Sequence, residues 1–283
     1  MSKPVQNVVF DLEGTLVDSA PVFVEVLNAM FADRGSMRRV TETEIGPFAS
    51  LGGPALVSGV LADECGDLRA EVDDFRARYR LYPIPFESLY EGVAEGVKEL
   101  CAHGFRLAIC SNKPQALCEK VIADLGLTDH FPVIVGSSPD RMTKPAPDLM
   151  DMVMAGLGTT VHDCLYVGDS EIDQALAKAT GVRFAFVTYG YATEQFNAGE
   201  QTEFSRFSDL VLWIKTERAT LHAAYHRRHA PHRTYRQRPT AKPAADRRNR
   251  RERLAGPCHA RPAARCAGRC VWNSCRVLRI AAR

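Results

Sequence analysis

Short apolar runs, spaced by helix-like stretches, set the fold of residues 1–215. Runs at 8–10, 106–110, 133–135, 164–167 and 184–188 have strand length and are largely apolar rather than alternating. Such runs suit strands buried on both faces. The stretches between them carry helical spacing. Within 91–103, Val93, Val97 and Leu100 share one side, and Gly104 follows. Pro114 stands where a first-turn proline belongs, ahead of a helix over 115–125 that ends at Gly126. Residues 171–180 run as a third helix to Gly181. Strand and helix in alternation predict an α/β fold with a parallel sheet covered on both faces.

One connection is too long for that plan. Ser19 to Ser111 spans 92 residues, whereas a strand–helix–strand unit needs only about 30. Long structureless loops are uncommon in compact domains. Residues 19–88 are therefore expected to form an inserted helical cap, with 1–18 and 89–217 as the core. Val22, Val26, Leu27 and Met30 make one helical stripe; Leu56, Val57, Val60 and Leu61 make another; Val72, Phe75 and Tyr79 a third. Asp18 and Ser19 are expected to cap the first of these helices. Residues 46–53, rich in glycine, read as an inter-helix segment, either a mobile substrate loop or a plain turn.

Charge divides the chain again. Residues 218–283 carry 17 arginines and one lysine against Asp246 and Glu252, a net of +16, while residues 1–217 carry a net of −14. An acidic body is a poor nucleic-acid binder. The tail is poor in aliphatic residues and is expected to be a disordered extension; its composition would also suit out-of-frame translation of a GC-rich gene. Nucleic-acid contact by the tail is the weaker reading, and Cys258, His259, Cys266, Cys270 and Cys275 match no zinc spacing. The odd count of nine cysteines, without a secretory leader, implies reduced thiols and a cytoplasmic location. No apolar stretch approaches 18 residues, so no membrane partner is expected. Oligomeric state is not legible.

The chemistry concentrates at strand ends. Asp11-Leu12-Glu13-Gly14-Thr15 follows the first apolar run. Alternate residues of an extended segment face the same way, so Asp11 and Glu13 can share a pocket. Cys110-Ser111-Asn112-Lys113 follows the second run, Lys144-Pro145 comes later, and Gly168-Asp169-Ser170-Glu171-Ile172-Asp173 follows the fourth. Each has a plainer reading by itself: a solvated lysine, a helix cap, a turn. In this order, and with Val187-Thr188-Tyr189-Gly190-Tyr191 after them, the segments resemble the haloacid dehalogenase superfamily of phosphohydrolases, and within it the phosphoglycolate phosphatase-like branch with a helical cap. The resemblance covers residues 5–213.

That resemblance implies a Rossmann-like core and a Mg²⁺-dependent phosphomonoesterase acting through an aspartyl phosphate. It implies Asp11 as nucleophile, Glu13 as general acid and base, and Lys144 as the residue offsetting negative charge. Ser111, Asn112, Gly14 and Thr15 would bind or position the substrate phosphate. Asp11, the Glu13 main-chain carbonyl and Asp169 would hold Mg²⁺, with Asp173 behind them. The implied substrate is a small phosphorylated metabolite, foremost 2-phosphoglycolate. Arg38, Arg39, Arg76, Arg78 and Arg80 of the cap are the candidates for binding its carboxylate. Glu13 departs from the family, whose second carboxylate is usually Asp. It has the same acid chemistry and about 1.5 Å more reach, and the enolase-phosphatase type also carries Asp-x-Glu-Gly-Thr. The alternative is a phosphate-binding or interaction protein with turnover weakened at Glu13. A Schiff-base phosphonate hydrolase needs a cap lysine, and residues 19–88 contain none.

Overall fold

A computed structural model describes residues 5–49, 51–192, 199 and 201–229, with side chains described as far as 220. All of them lie within one compact unit, Met1–Pro231. The expectation for the tail beyond 229 falls outside the described residues.

The sheet has six strands in the order β3-β2-β1-β4-β5-β6, all parallel. These are β1 (Asn7–Phe10), β2 (Arg106–Pro114), β3 (Val133–Ser137), β4 (Cys164–Gly168), β5 (Arg183–Val187) and β6 (Thr202–Phe204). Strand β1 lies between β2 and β4 and is buried at every residue. The period of two sorts its side chains onto two faces. Val8 and Phe10, with Leu107, Ile109, Leu165 and Val167, join one apolar cluster. Val9, with Ala108, Cys110 and Tyr166, joins the other.

Between β1 and β2 come α1 (Ala20–Asp33), α2 (Glu42–Ala49), α3 (Gly53–Leu61), α4 (Leu68–Leu81) and α5 (Val93–Ala102). Helix α6 (Gln115–Asp124) follows β2, α7 (Asp148–Leu157) follows β3, α8 (Glu171–Thr180) follows β4 and α9 (Phe207–His229) follows β6. Helices α5, α6 and α9 cover the Val8 face, and α7 and α8 the Val9 face. The insertion is all helix. Phe23, Phe75 and Tyr79 pack with ring centroids 5.6–6.2 Å apart and belong to the same apolar cluster as the Val8 face. Helix α4 starts on Asp67, whose carboxylate accepts from Ala70 N at 2.8 Å, a cap worth about 1 kcal/mol.

Four local expectations are corrected. Pro114 is not in the first helical turn: it ends β2 in extended conformation, because that strand keeps pairing with β3 as far as Ser137. Residues 46–49 are not a loop; they complete α2, and α3 begins at Gly53. Ser19 takes the N-cap position of α1 without a side-chain cap bond, and Asp18 caps Ala20 N instead at 3.1 Å. The break at 218 is too early. Helix α9 continues to His229, and Arg218 donates to the His103 carbonyl at 3.0 Å and lies over the Phe105 ring. No helix among the described residues is long and apolar enough to cross a membrane.

Candidate active site

The carboxyl ends of β1, β2 and β4 meet where the strand order turns outward from β1, the usual ligand-binding crevice of such sheets. Asp11 follows β1, and its amide donates to the Val167 carbonyl at 2.9 Å, which fixes it to the end of β4. Asp169 follows β4, and Asp173 lies in the first turn of α8. Carboxylate oxygens of Asp11, Asp169 and Asp173 lie within 4.8 Å of one another, and all three residues are buried.

Lys144 reaches this cluster from the loop before α7. Its Nζ is 2.9 Å from Asp11 Oδ2 and 2.7 Å from Asp173 Oδ1. Burial alone would favour the neutral amine, but Asp11 and Asp173 outweigh it and hold Lys144 charged. Asn112 fixes the loop: its Nδ2 donates to the Lys144 carbonyl at 3.1 Å, and its Oδ1 accepts from Lys144 N at 2.7 Å. The amide expected near the phosphate is therefore used on the Lys144 backbone.

The three carboxylates differ. Asp173 accepts from Lys144, from Tyr166 Oη and from Ser170 Oγ at 2.6 Å. Burial raises its carboxyl, but Lys144 and these hydrogen bonds prevail and hold it below the usual carboxylate range. Among the described residues Asp169 receives only neutral donors, Thr15 Oγ1 at 2.9 Å and Tyr191 N at 2.7 Å. Burial, then the charges of Asp173 and Asp11, push it well above that range. Burial likewise pushes Asp11 up to about 6, against the pull of Lys144.

Gly14 earns its place through Asp169. Its φ is +75°, and a Cβ there would lie 2.0 Å from Asp169 Oδ2. A Cβ on Gly190 would lie 2.3 Å from the same oxygen, so the carboxylate sits between two glycine backbones. Thr15 spends its hydroxyl on Asp169. Among the described residues, neither Gly14 nor Thr15 lines the cavity. Both shape the carboxylate cluster through Asp169.

The cavity itself has about 700 Å³ of empty space, counted out to its open mouth. The strand ends supply Asp11, Glu13, Ser111, Lys113 and Asp169 to its wall, and the loop before α7 supplies Lys144. The insertion supplies Phe23, Leu56, Phe75, Arg76 and Tyr79. Ser111, Asn112 and Lys113 all line it, although consecutive strand residues ordinarily face opposite ways. The pairing of β2 with β3 shifts register between Cys110 and Pro114, which frees this segment from alternation.

Sequence reasoning passed over Lys113 as a partner. Its Nζ is 2.5 Å from Glu13 Oε1 and 3.9 Å from the Tyr79 ring centroid. Burial would lower its pKa, but Glu13 and Tyr79 raise it. The signal was available: a lysine two residues after Ser111, and a glutamate with one methylene more than aspartate. Tyr191 was also passed over as a partner. It holds Asp169 through its amide and Asp18 through its hydroxyl at 2.6 Å, tying the last loop to the entry of α1.

A buried trio of carboxylates with only hard oxygen donors fits a small divalent cation such as Mg²⁺. Among the described residues no cationic side chain lies against Asp169, and burial followed by repulsion from neighbouring carboxylates raises the carboxyls of Asp11 and Asp169. That is the imbalance a bound cation relieves.

The parallel sheet, the carboxylates at its strand ends and the helical insertion define a hydrolase of the phosphoryl-transfer kind. Residues 8–187 match the haloacid dehalogenase-like hydrolase family, and the chain belongs to it. The chain is 39% identical over 192 residues to a phosphoglycolate phosphatase of Cereibacter sphaeroides, spanning 65% of this chain and 86% of that one. A phosphoglycolate phosphatase of Mesorhizobium japonicum is 32% identical over 231 residues, spanning 80% of this chain and 100% of that one. The fold is also that of CbbY from Rhodobacter sphaeroides, solved in complex with phosphate, at a TM-score of 0.60 and 20% identity, covering 73% of this chain and 96% of that one. The chain is thus a phosphatase-class enzyme, phosphoglycolate phosphatase-like, and these relatives do not favour the non-enzymatic alternative.

Proposed function

We propose that this phosphatase hydrolyses a small phosphomonoester, foremost 2-phosphoglycolate, with Asp11 as nucleophile, in a core formed by residues 1–18 and 89–229 under a cap formed by 19–88. The observation that carries this reading is the convergence of Asp11, Lys144 and Asp169 on one cavity wall with Ser111. The names of the relatives support the choice of substrate.

An Asp11 carboxylate oxygen attacks phosphorus, the bond from phosphorus to the ester oxygen breaks, and an aspartyl phosphate forms. Glu13 is the proton donor to the departing alkoxide. It then takes a proton from the water that attacks the aspartyl phosphate, releasing inorganic phosphate and restoring Asp11. Ser111 donates to a phosphoryl oxygen. Lys144 offsets the charge of the phosphoryl group and holds Asp11 in place. Asp11, the Glu13 carbonyl and Asp169 would hold Mg²⁺, with Asp173 behind them, and the ion would supply positive charge opposite the phosphate. Phe23, Phe75 and Tyr79 exclude water from above.

Phosphate release from a panel of metabolite phosphates, with Mg²⁺ present, tests this reading. Turnover of 2-phosphoglycolate is expected, and Asp11→Asn should lower kcat on the order of 10³-fold or more. No release across the panel, or full activity of Asp11→Asn, would overturn it.

A further inference from the structure

The structure separates the five arginines that the sequence offers for a substrate carboxylate. Arg78 is bound to Asp74 and, at 2.6 Å, to Asp33. Arg38 lies over the Phe31 ring, 3.9 Å from Glu44. Arg39 donates to the carbonyls of Ser36 and Arg38. Arg80 is exposed. Only Arg76 of the five lines the cavity.

Its placement follows from the helix. Val72, Phe75 and Tyr79 form the buried stripe of α4. Arg76 stands four residues after Val72 and three before Tyr79, so it borders that stripe on the cavity side. Its guanidinium lies against the start of α3: a Cβ on Gly53 would be 3.8 Å from Nη2.

Its charge is the unusual part. Two other cations line the cavity, and each is already matched: Lys113 by Glu13, Lys144 by Asp11 and Asp173. Among the described residues Arg76 has no hydrogen bond or ion pair. Among the described residues, the cavity therefore offers one guanidinium without a counter-ion, on the part of its wall that the insertion supplies.

We propose that Arg76 determines specificity, its guanidinium binding a carboxylate at the far end of the phosphomonoester. The planar fork of arginine pairs with a carboxylate through two parallel hydrogen bonds. The assignment rests on the proposed function for the position of the phosphate. It adds the substrate class: phosphomonoesters whose second anionic group is a carboxylate.

The experiment compares 2-phosphoglycolate, 2-hydroxyethyl phosphate and a sugar bisphosphate, with Mg²⁺, on wild type, Arg76→Gln, Arg76→Lys and, as a control, Arg80→Gln. In wild type, kcat/KM should favour 2-phosphoglycolate over 2-hydroxyethyl phosphate by about 10- to 100-fold, the range of one charged hydrogen-bonded contact. Arg76→Gln should collapse that ratio, through KM more than kcat, while its melting temperature stays that of wild type. Arg76→Lys should restore part of the ratio, and Arg80→Gln should leave it intact. Equal effects of Arg76→Gln on the first two substrates would overturn the proposal. A loss confined to the sugar bisphosphate would overturn the choice of carboxylate. Calorimetric binding of 2-phosphoglycolate to Asp11→Asn, with and without Arg76→Gln, separates this proposal from the phosphatase reading. Weakened binding alongside an inactive wild type would reject the reaction and keep the contact. Turnover that is indifferent to Arg76 would do the reverse.

Discussion

The floor and the roof of the cavity are held by different physics. On the floor, Asp11, Asp173, Lys144, Tyr166, Ser170 and Asn112 are locked to one another by charged and neutral hydrogen bonds. On the roof, Phe23, Phe75 and Tyr79 pack as an apolar trio, and Arg76 is left unmatched. A polar network fixes geometry because each member has few alternatives once buried. An apolar roof fixes shape and leaves its polar contacts to the ligand. On the proposed function, the reaction belongs to the floor and the choice of substrate to the roof.

The largest test of this division uses two variants matched in stability. Lys144→Met removes the cation between two buried carboxylates, which is expected to cost about 3–5 kcal/mol. Phe75→Ala leaves a cavity in the roof and is expected to cost a similar amount, about 3–5 kcal/mol. At a temperature where both remain folded, Lys144→Met should abolish kcat, while Phe75→Ala should chiefly raise KM. Equal damage to kcat in both would erase the distinction.

Glu13 belongs to the floor but leans toward the roof, since Lys113 contacts both it and Tyr79. Glu13→Asp shortens the side chain by about 1.5 Å and breaks the contact with Lys113. A fall in kcat by about 10- to 100-fold is expected from such a displacement. A rise in kcat would show that glutamate weakens turnover here, and would favour the phosphate-binding alternative.

Much of the floor was legible in the sequence, because periodicity is local. The unbroken apolar run at Val8, Val9 and Phe10 announces a central strand, and Asp11 at its end announces the site. What was hidden depends on pairing between distant segments. The register shift after Cys110 arises from β2 against β3, and nothing in Ser111-Asn112-Lys113 displays it. Thr15 sits beside Asp11 in sequence, yet its hydroxyl serves Asp169, 154 residues away. Strand β6 is only three residues long, too short for a pattern. In the roof, five arginines look alike in sequence, and only the packing of α4 distinguishes Arg76.

The floor also has a pH signature that the roof lacks. Asp11 titrates near 6 in the folded protein against 3.8 as its ordinary value, and Asp169 is raised as well. A carboxyl raised on folding contributes stability that is complete below its unfolded pKa and lost as pH rises through its folded one. For Asp11 the window is pH 4–6, and the loss is on the order of 3 kcal/mol without a cation. Asp173, held low, acts in the opposite sense and only at more acid pH. Mg²⁺ should therefore raise the melting temperature of Asp11-intact protein more at pH 7.5 than at pH 4.5. Asp169→Asn should shrink that difference, whereas Arg76→Gln should preserve it. An equal Mg²⁺ effect at both pH values would remove the carboxylate cluster as the metal site.

The smallest expected effect lies outside both regions and serves as their control. A chain ending at His229 keeps Arg218, whose guanidinium bonds the His103 carbonyl and covers Phe105. A chain ending at Glu217 loses it. Losing one exposed hydrogen bond and one cation–π contact should cost about 1 kcal/mol, or about 2–4 °C in melting temperature. Neither floor nor roof touches Arg218, so kcat and KM for 2-phosphoglycolate should match in the two chains. Should the shorter chain lose activity while keeping its stability, the end of α9 would be coupled to the site. The division between floor and roof would then be incomplete.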